Sequence, residues 1–178
     1  MSHDAALQAA LEPHIRDIPD FPKPGIVFKD ITPLLASPEA FNRCLDGLAA
    51  VTTEAIDVVV GIESRGFIFG AALAARKRLP FVPARKPGKL PADTVKMEYA
   101  LEYGTDALEI HRDAIAPGKK VLVVDDLLAT GGTAQACGDL VREIGGEVAG
   151  YAFVIDLAFL GGAAKLAPAP VHALIRYE

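Results

Sequence analysis

The chain has 178 residues, with 18 Lys plus Arg against 23 Asp plus Glu for a formal charge of −5, and 51% of its residues are hydrophobic. That length suits one domain with a single core, and the apolar content excludes a disordered chain. The acidic balance disfavours an electrostatic nucleic-acid binder, but not an anionic ligand, since backbone amides at a helix N-terminus hold anions whatever the net charge.

In chain order, MSHDAALQAALEPHIRD carries Asp4 and Glu12 and lacks the basic start and apolar stretch of a secretory signal. Residues 5–11 predict a helix that Pro13 ends. Residues 18–38 hold five prolines and one glycine around Ile26-Val27-Phe28 and read as an ordered loop or short strand. Phe41, Leu45, Leu48 and Val51 recur at three- and four-residue spacing, predicting a helix over 38–54 capped by Ser37. The β-branched run 56–61 predicts a strand buried on both faces, with GIESRG as its turn. A helix over 67–78 and a strand over 81–84 follow. Residues 86–96, with two prolines, a glycine and three lysines, predict a mobile surface segment beside a hairpin-like excursion built from MEYALEYG and 108–112. Pro117-Gly118 turns into a strand over 121–124, DDLLATGG and a helix over 133–144, which Gly145-Gly146 stops. Strands over 148–155 and 171–175, with a short helix or turn at 158–165, complete the chain.

Strands alternating with helices predict an α/β fold, a mainly parallel twisted sheet flanked by helices, with ligands at the carboxyl ends of its strands. No internal repeat or linker interrupts it, so 1–178 is expected to be one domain. Cys44 and Cys137, far apart and outside any CxxC pattern, are expected to be reduced core thiols. His3, His14, His111 and His172 do not fall at metal-ligand spacing and are expected to be structural or exposed. No apolar run approaches the ~20 residues of a membrane span, and the expected compartment is the cytoplasm.

The segment VLVVDDLLATGGT, residues 121–133, carries the chemistry. Two glycines and two threonines before a helix let successive N–H groups converge on a phosphomonoester. Two adjacent carboxylates at the strand end, Asp125 and Asp126, need a diol or a cation to offset their repulsion, and a ribose 2,3-diol fits. The pattern is neither a GxxxxGK[ST] loop nor a GxGxxG turn. A bare tight turn with helix-entry charges is the alternative reading of those residues.

The thirteen-residue string resembles the 5-phosphoribosyl-1-pyrophosphate motif of the type I phosphoribosyltransferases. DFPKPGIVFKDITPLL at 20–35, GIESRGFIFG at 61–70, RKPGKLP at 85–91 and LEYGTDALEIH at 101–111 extend that resemblance, in order, to the adenine-specific branch. The resemblance implies the type I phosphoribosyltransferase fold with a small N-terminal hood (1–35) and a mobile lid (85–107). It implies phosphoribosyl transfer to adenine, giving AMP and pyrophosphate in purine salvage, in a cytoplasmic homodimer. It places the 5-phosphate on Ala129, Thr130, Gly131, Gly132 and Thr133, and the ribose hydroxyls on Asp125 and Asp126. Pyrophosphate falls to Ser64, Arg65, Arg85, Lys86 and Lys89, with Mg2+ held mainly by the substrate. The adenine falls to the main chain of Val27 and Lys29 beside Phe28, and Glu102, near the purine imidazole edge, joins Arg65 as a catalytic group. Some relatives have arginine at position 29, a change that matters little if only the main chain meets the base. Two other readings stand beside it: a ligand-sensing regulator, which would need a DNA-binding appendage, and an enzyme for a 6-oxo purine or orotate.

Overall fold

In a computed structural model, residues 4–53, 55–100 and 105–178 are described, Ala100 by its backbone only. The chain opens with α1 (Ala5–Leu11), whose first turn is capped by Asp4 Oδ1 accepting from Ala6 N and Leu7 N at 3.0 Å. Two short strands, β1 (Arg16–Pro19) and β2 (Val27–Asp30), pair antiparallel as a ribbon of their own. Then come α2 (Thr32–Ala36), α3 (Pro38–Val51), β3 (Val58–Ile62), α4 (Arg65–Lys77), β4 (Phe81–Ala84), the hairpin β5 (Thr94–Ala100) and β6 (Thr105–His111), β7 (Lys120–Leu128), α5 (Gly132–Glu143), β8 (Glu147–Leu157) and β9 (Val171–Tyr177).

The central sheet has the order β4-β3-β7-β8-β9 with every pair parallel, as the alternation of strands and helices predicts. Its strands are apolar on both faces because both faces are covered. Val58, Val60, Ile62, Val121 and Val123 pack under α5 and the hairpin, while Val59, Leu122 and Val124 pack under the helices α1 to α4. Cys137 lies in the first layer and Cys44 in the second, both buried and free. Burial pushes the Cys44 thiol up to about 12 and raises Cys137 as well, so both stay protonated. Among the described residues no helix is long and apolar enough to cross a membrane.

Three stretches differ from the sequence reading. The proline-rich span 18–38 holds half of a ribbon and a helix: Asp30 accepts from Thr32 N at 2.9 Å, and Pro33 sits in the first turn, where its missing N–H costs no hydrogen bond. β7 does not stop before the aspartates but runs to Leu128, because β8 keeps pairing with it through Leu127↔Ile155 and Leu128↔Asp156. The hairpin begins at Thr94, inside the span read as a surface loop. The helix over 38–51 starts where Ser37 predicts, its Oγ accepting from Ala40 N at 3.2 Å.

The order of strands fixes the site. From β3 the chain runs outward to β4, and after the hairpin it returns to β7 on the other side of β3, then outward again to β8 and β9. The crevice beyond the carboxyl ends of β3 and β7 is thus the switch point where open α/β sheets bind ligands.

Candidate active site

Two helices begin at that crevice, α4 directly after β3 and α5 after β7, and neither has a side-chain cap on its first turn. First-turn N–H groups without a side-chain partner and the positive dipole ends of both helices thus lie at the crevice. Gly66 allows α4 to come this close, since a Cβ there would lie 2.8 Å from both Asp125 Oδ1 and Val124 O. Gly131, at φ +81°, turns the chain from β7 into α5, in the left-handed region that favours glycine. Ala129, Thr130 and Gly132 complete this turn.

A cavity of about 310 Å3 lies between the two helix starts, lined by Glu63, Ser64, Arg65, Lys86, Tyr99, Asp106, Leu108, Asp125, Asp126 and Thr133. Residues quoted from separate stretches of the sequence, Ser64-Arg65, Lys86, Asp125-Asp126 and Thr133, therefore share one wall. A larger hollow of about 690 Å3 lies near Thr53, Pro170 and His172, at the amino-terminal end of β9. Small apolar residues line most of it, so the smaller, charged cavity is the one equipped for chemistry.

The two aspartates behave as crowded acids. Loss of water and the charge of Asp126 push the Asp125 carboxyl well above the usual carboxylate range. Asp126 is raised by burial in turn, with the Arg65 guanidinium pulling against it. Arg65 Nε stands 2.9 Å from Asp126 Oδ2, yet off the hydrogen-bond direction, so that among the described residues that buried oxygen accepts no aligned bond. It is an ion pair with acceptor capacity left for a hydroxyl donor. Arg65 Cζ also lies 5.0 Å from the centre of the Phe28 ring, linking the β1–β2 ribbon to the cavity.

The basic residues are all engaged. Glu63, at the end of β3, accepts from Arg85 Nε at 3.2 Å, Arg85 Nη2 at 3.5 Å, Lys89 Nζ at 2.5 Å and the Lys86 amide at 3.0 Å. Burial alone would raise its carboxyl, but Lys89, the Lys86 amide and Arg85 outweigh that and bring it to about 2. Lys86 Nζ meets Asp106, which also accepts from Tyr99 Oη at 3.3 Å. The Asp106 carboxylate in turn raises Lys86. The segment expected to be a mobile surface loop is therefore tied to the wall, also through Gly88 N to Glu109 Oε2 at 3.0 Å.

Val27, Phe28 and Lys29 lie on β2, outside the cavity wall, where Phe21 meets Phe28 edge to face at 5.2 Å. Lys29 Nζ bonds Asp17 at 2.7 Å and lies 3.7 Å from the centre of the Tyr177 ring, which anchors the ribbon to the end of β9. Glu102 and His3 lie outside the described residues. Sequence reasoning missed Glu63, Tyr99 and Asp106. Glu63 stood inside the quoted GIESRG string and Asp106 inside LEYGTDALEIH, but neither string shows which cations its carboxylate faces across the fold.

The phosphoribosyl transferase domain family matches residues 35–163. The chain is 61% identical over 173 residues to adenine phosphoribosyltransferase of Sorangium cellulosum (strain So ce56), covering 94% of this chain and 86% of the relative. The solved adenine phosphoribosyltransferase of Thermoanaerobacter pseudethanolicus ATCC 33223 is 51% identical with a TM-score of 0.93, covering 96% of this chain and 99% of the other. That of Saccharomyces cerevisiae, solved with adenine and D-2,5-dideoxy-2,5-imino-altritol 1,6-bisphosphate, is 41% identical with a TM-score of 0.90, covering 97% and 100%.

Proposed function

The chain belongs to the phosphoribosyl transferase domain family and, within it, to the adenine phosphoribosyltransferases; on that premise we propose which of its residues perform each part of the reaction. The reaction joins 5-phosphoribosyl-1-pyrophosphate and adenine to give AMP and pyrophosphate, the transfer used in purine salvage. The bond from the anomeric carbon to the pyrophosphate oxygen breaks and a bond to N9 of adenine forms. The carbon passes through an oxocarbenium-like state, and the proton on N9 of adenine leaves as the new bond forms.

In this reading the turn 129–133 cradles the 5-phosphate with the free amides of α5 and the Thr130 and Thr133 hydroxyls. Asp125 and Asp126 accept from the ribose 2- and 3-hydroxyls. The diol supplies the donors that the open acceptor on Asp126 lacks, and it relieves two carboxylates held near each other without enough counter-charge. Ser64, Arg65, Arg85, Lys86 and Lys89 hold the pyrophosphate, stabilising the negative charge that grows as it leaves. Arg65, between Asp126 and Phe28, stands where leaving group, sugar and base meet. Glu102 manages the proton at the imidazole edge by general acid–base catalysis, and the main chain of Val27 and Lys29 reads the 6-amino group.

The β1–β2 ribbon is the hood over the base, part of an N-terminal segment 1–35, and 85–107 is the lid that excludes water from the reactive carbon. Magnesium would be held mainly by the sugar diphosphate, with the hard oxygens of Asp125 and Asp126 nearby on the wall, and would neutralise the charge of the leaving group. A cytoplasmic homodimer belongs to the same reading.

One observation carries the assignment. Arg65 ion-pairs with a buried Asp126 that keeps an open acceptor, in a cavity shared with Lys86 and Thr133. Calorimetric titration with AMP tests it: the wild type saturates, and Asp126→Ala binds at least tenfold more weakly. Wild-type affinity in that variant would remove Asp126 from the ribose site.

A further inference from the structure

The pyrophosphate end of the cavity poses an electrostatic problem of its own. Three cations lie within five residues of one loop, Lys86 in the cavity wall and Arg85 and Lys89 joined to that wall through Glu63, and left alone they would repel one another. Each instead ends on a carboxylate that the substrate reading does not use. Glu63 is fixed at both ends: its backbone N–H donates to Ala84 O at 2.9 Å, and its side chain is only 10% exposed. From there it accepts from Arg85 Nε and Nη2, Lys89 Nζ and the Lys86 amide. The loop is closed further by Arg85 Nη1 donating to Lys89 O at 3.2 Å. On the facing hairpin, Asp106 takes Lys86 Nζ while Tyr99 Oη and the Ala107 amide, the latter at 2.8 Å, fix its own orientation.

We propose that Glu63 and Asp106 are positioning residues that hold Arg85, Lys86 and Lys89 as a pre-formed array for the pyrophosphate group. A carboxylate facing a polyanion is repulsive on its own. Its presence is favourable only because ordering three flexible cations in advance removes the entropy that the ligand would otherwise have to supply. The proposal rests on the assignment of this cavity to pyrophosphate, and its test separates the two.

Magnesium pyrophosphate is titrated calorimetrically into the wild type, Glu63→Gln, Glu63→Asp and Asp106→Asn, and KM is measured for both substrates. In Glu63→Gln the pyrophosphate Kd and the KM for 5-phosphoribosyl-1-pyrophosphate each rise at least tenfold, while the KM for adenine stays within twofold. Asp106→Asn moves the same two constants three- to fivefold, and Glu63→Asp, which keeps the charge, falls between Gln and wild type. A merely structural role would lower the melting temperature and change both substrates' KM values together. Unchanged or tighter pyrophosphate binding in folded Glu63→Gln would overturn the proposal, because the carboxylate would then be competing with the ligand. Should Glu63→Gln not fold, unchanged binding in Asp106→Asn overturns it alone. A wild type that binds no pyrophosphate overturns the site assignment, and the proposal with it.

Discussion

Replacing Arg65 with leucine removes the counter-charge of Asp126 while keeping an apolar stem beside Phe28. The Asp126 side chain is 5% exposed and that of Arg65 36%. Breaking a fully buried pair from one side costs about 3–5 kcal/mol and an exposed pair under ~1 kcal/mol. One partner buried and the other a third exposed puts Arg65→Leu at about 2 kcal/mol, and at ~2–4 °C per kcal/mol for this chain length the melting temperature falls by about 4–8 °C. The loss depends on pH. Burial already raises the Asp126 carboxyl above its ordinary 3.8, and Arg65 is what holds it down. Without Arg65 it rises further, so the folded protein keeps a proton that the unfolded chain releases, and stability falls as pH climbs above 3.8. Below that value both states are protonated and the variant's deficit vanishes. Thermal unfolding from pH 4 to pH 8.5 thus shows a gap between variant and wild type that opens where the wild-type Asp126 carboxyl ionises in the fold and widens until the variant's does. In the Asp126→Asn background the same substitution costs under ~0.5 kcal/mol, a coupling of about 1.5 kcal/mol. A gap independent of pH, or additive losses in the double variant, would refute the pairing.

Three other outcomes follow from the site. Gly131→Ala forces a Cβ into a left-handed turn and to 2.5 Å from Gly162 O, so AMP binding weakens at least tenfold by calorimetry, with adenine binding little affected. Glu102→Leu lowers kcat by about 10²–10⁴-fold while the affinity for 5-phosphoribosyl-1-pyrophosphate stays near wild type, read by pre-steady-state and equilibrium measurements. Lys29→Arg keeps the charge on Asp17 and over the Tyr177 ring and leaves the KM for adenine within twofold, whereas Lys29→Leu releases the ribbon and raises it several-fold.

The parallel sheet was legible because its signals are local: runs such as 58–60 and 121–124 are buried on both faces, and Ser37 and Gly145 mark helix ends with their own chemistry. What escaped was decided by partners distant in sequence. Nothing within DDLLATGG says that the strand continues through both aspartates, since β8 alone sustains it. Prolines hid α2 because the rule that proline breaks helices does not apply in a first turn, where Pro33 sits. Ser64, Arg65, Asp126 and Thr133 were readable from motif and resemblance, and the fold gathers them around one cavity. Glu63 and Asp106 were not, because a carboxylate among lysines declares its use only when the cations it holds are seen in space. Phe28 reaches the cavity only through Arg65, a contact across thirty-seven positions that no spacing rule contains.

Phosphoribosyl transfer to adenine in this cavity has a direct readout. Nucleotide formation is followed with magnesium, 5-phosphoribosyl-1-pyrophosphate and, in turn, adenine, hypoxanthine, guanine, xanthine and orotate, in the wild type and in Asp126→Ala. AMP forms from adenine alone, at a rate that collapses in the variant. No AMP from adenine, a faster reaction with a 6-oxo base, or full activity in Asp126→Ala would contradict it.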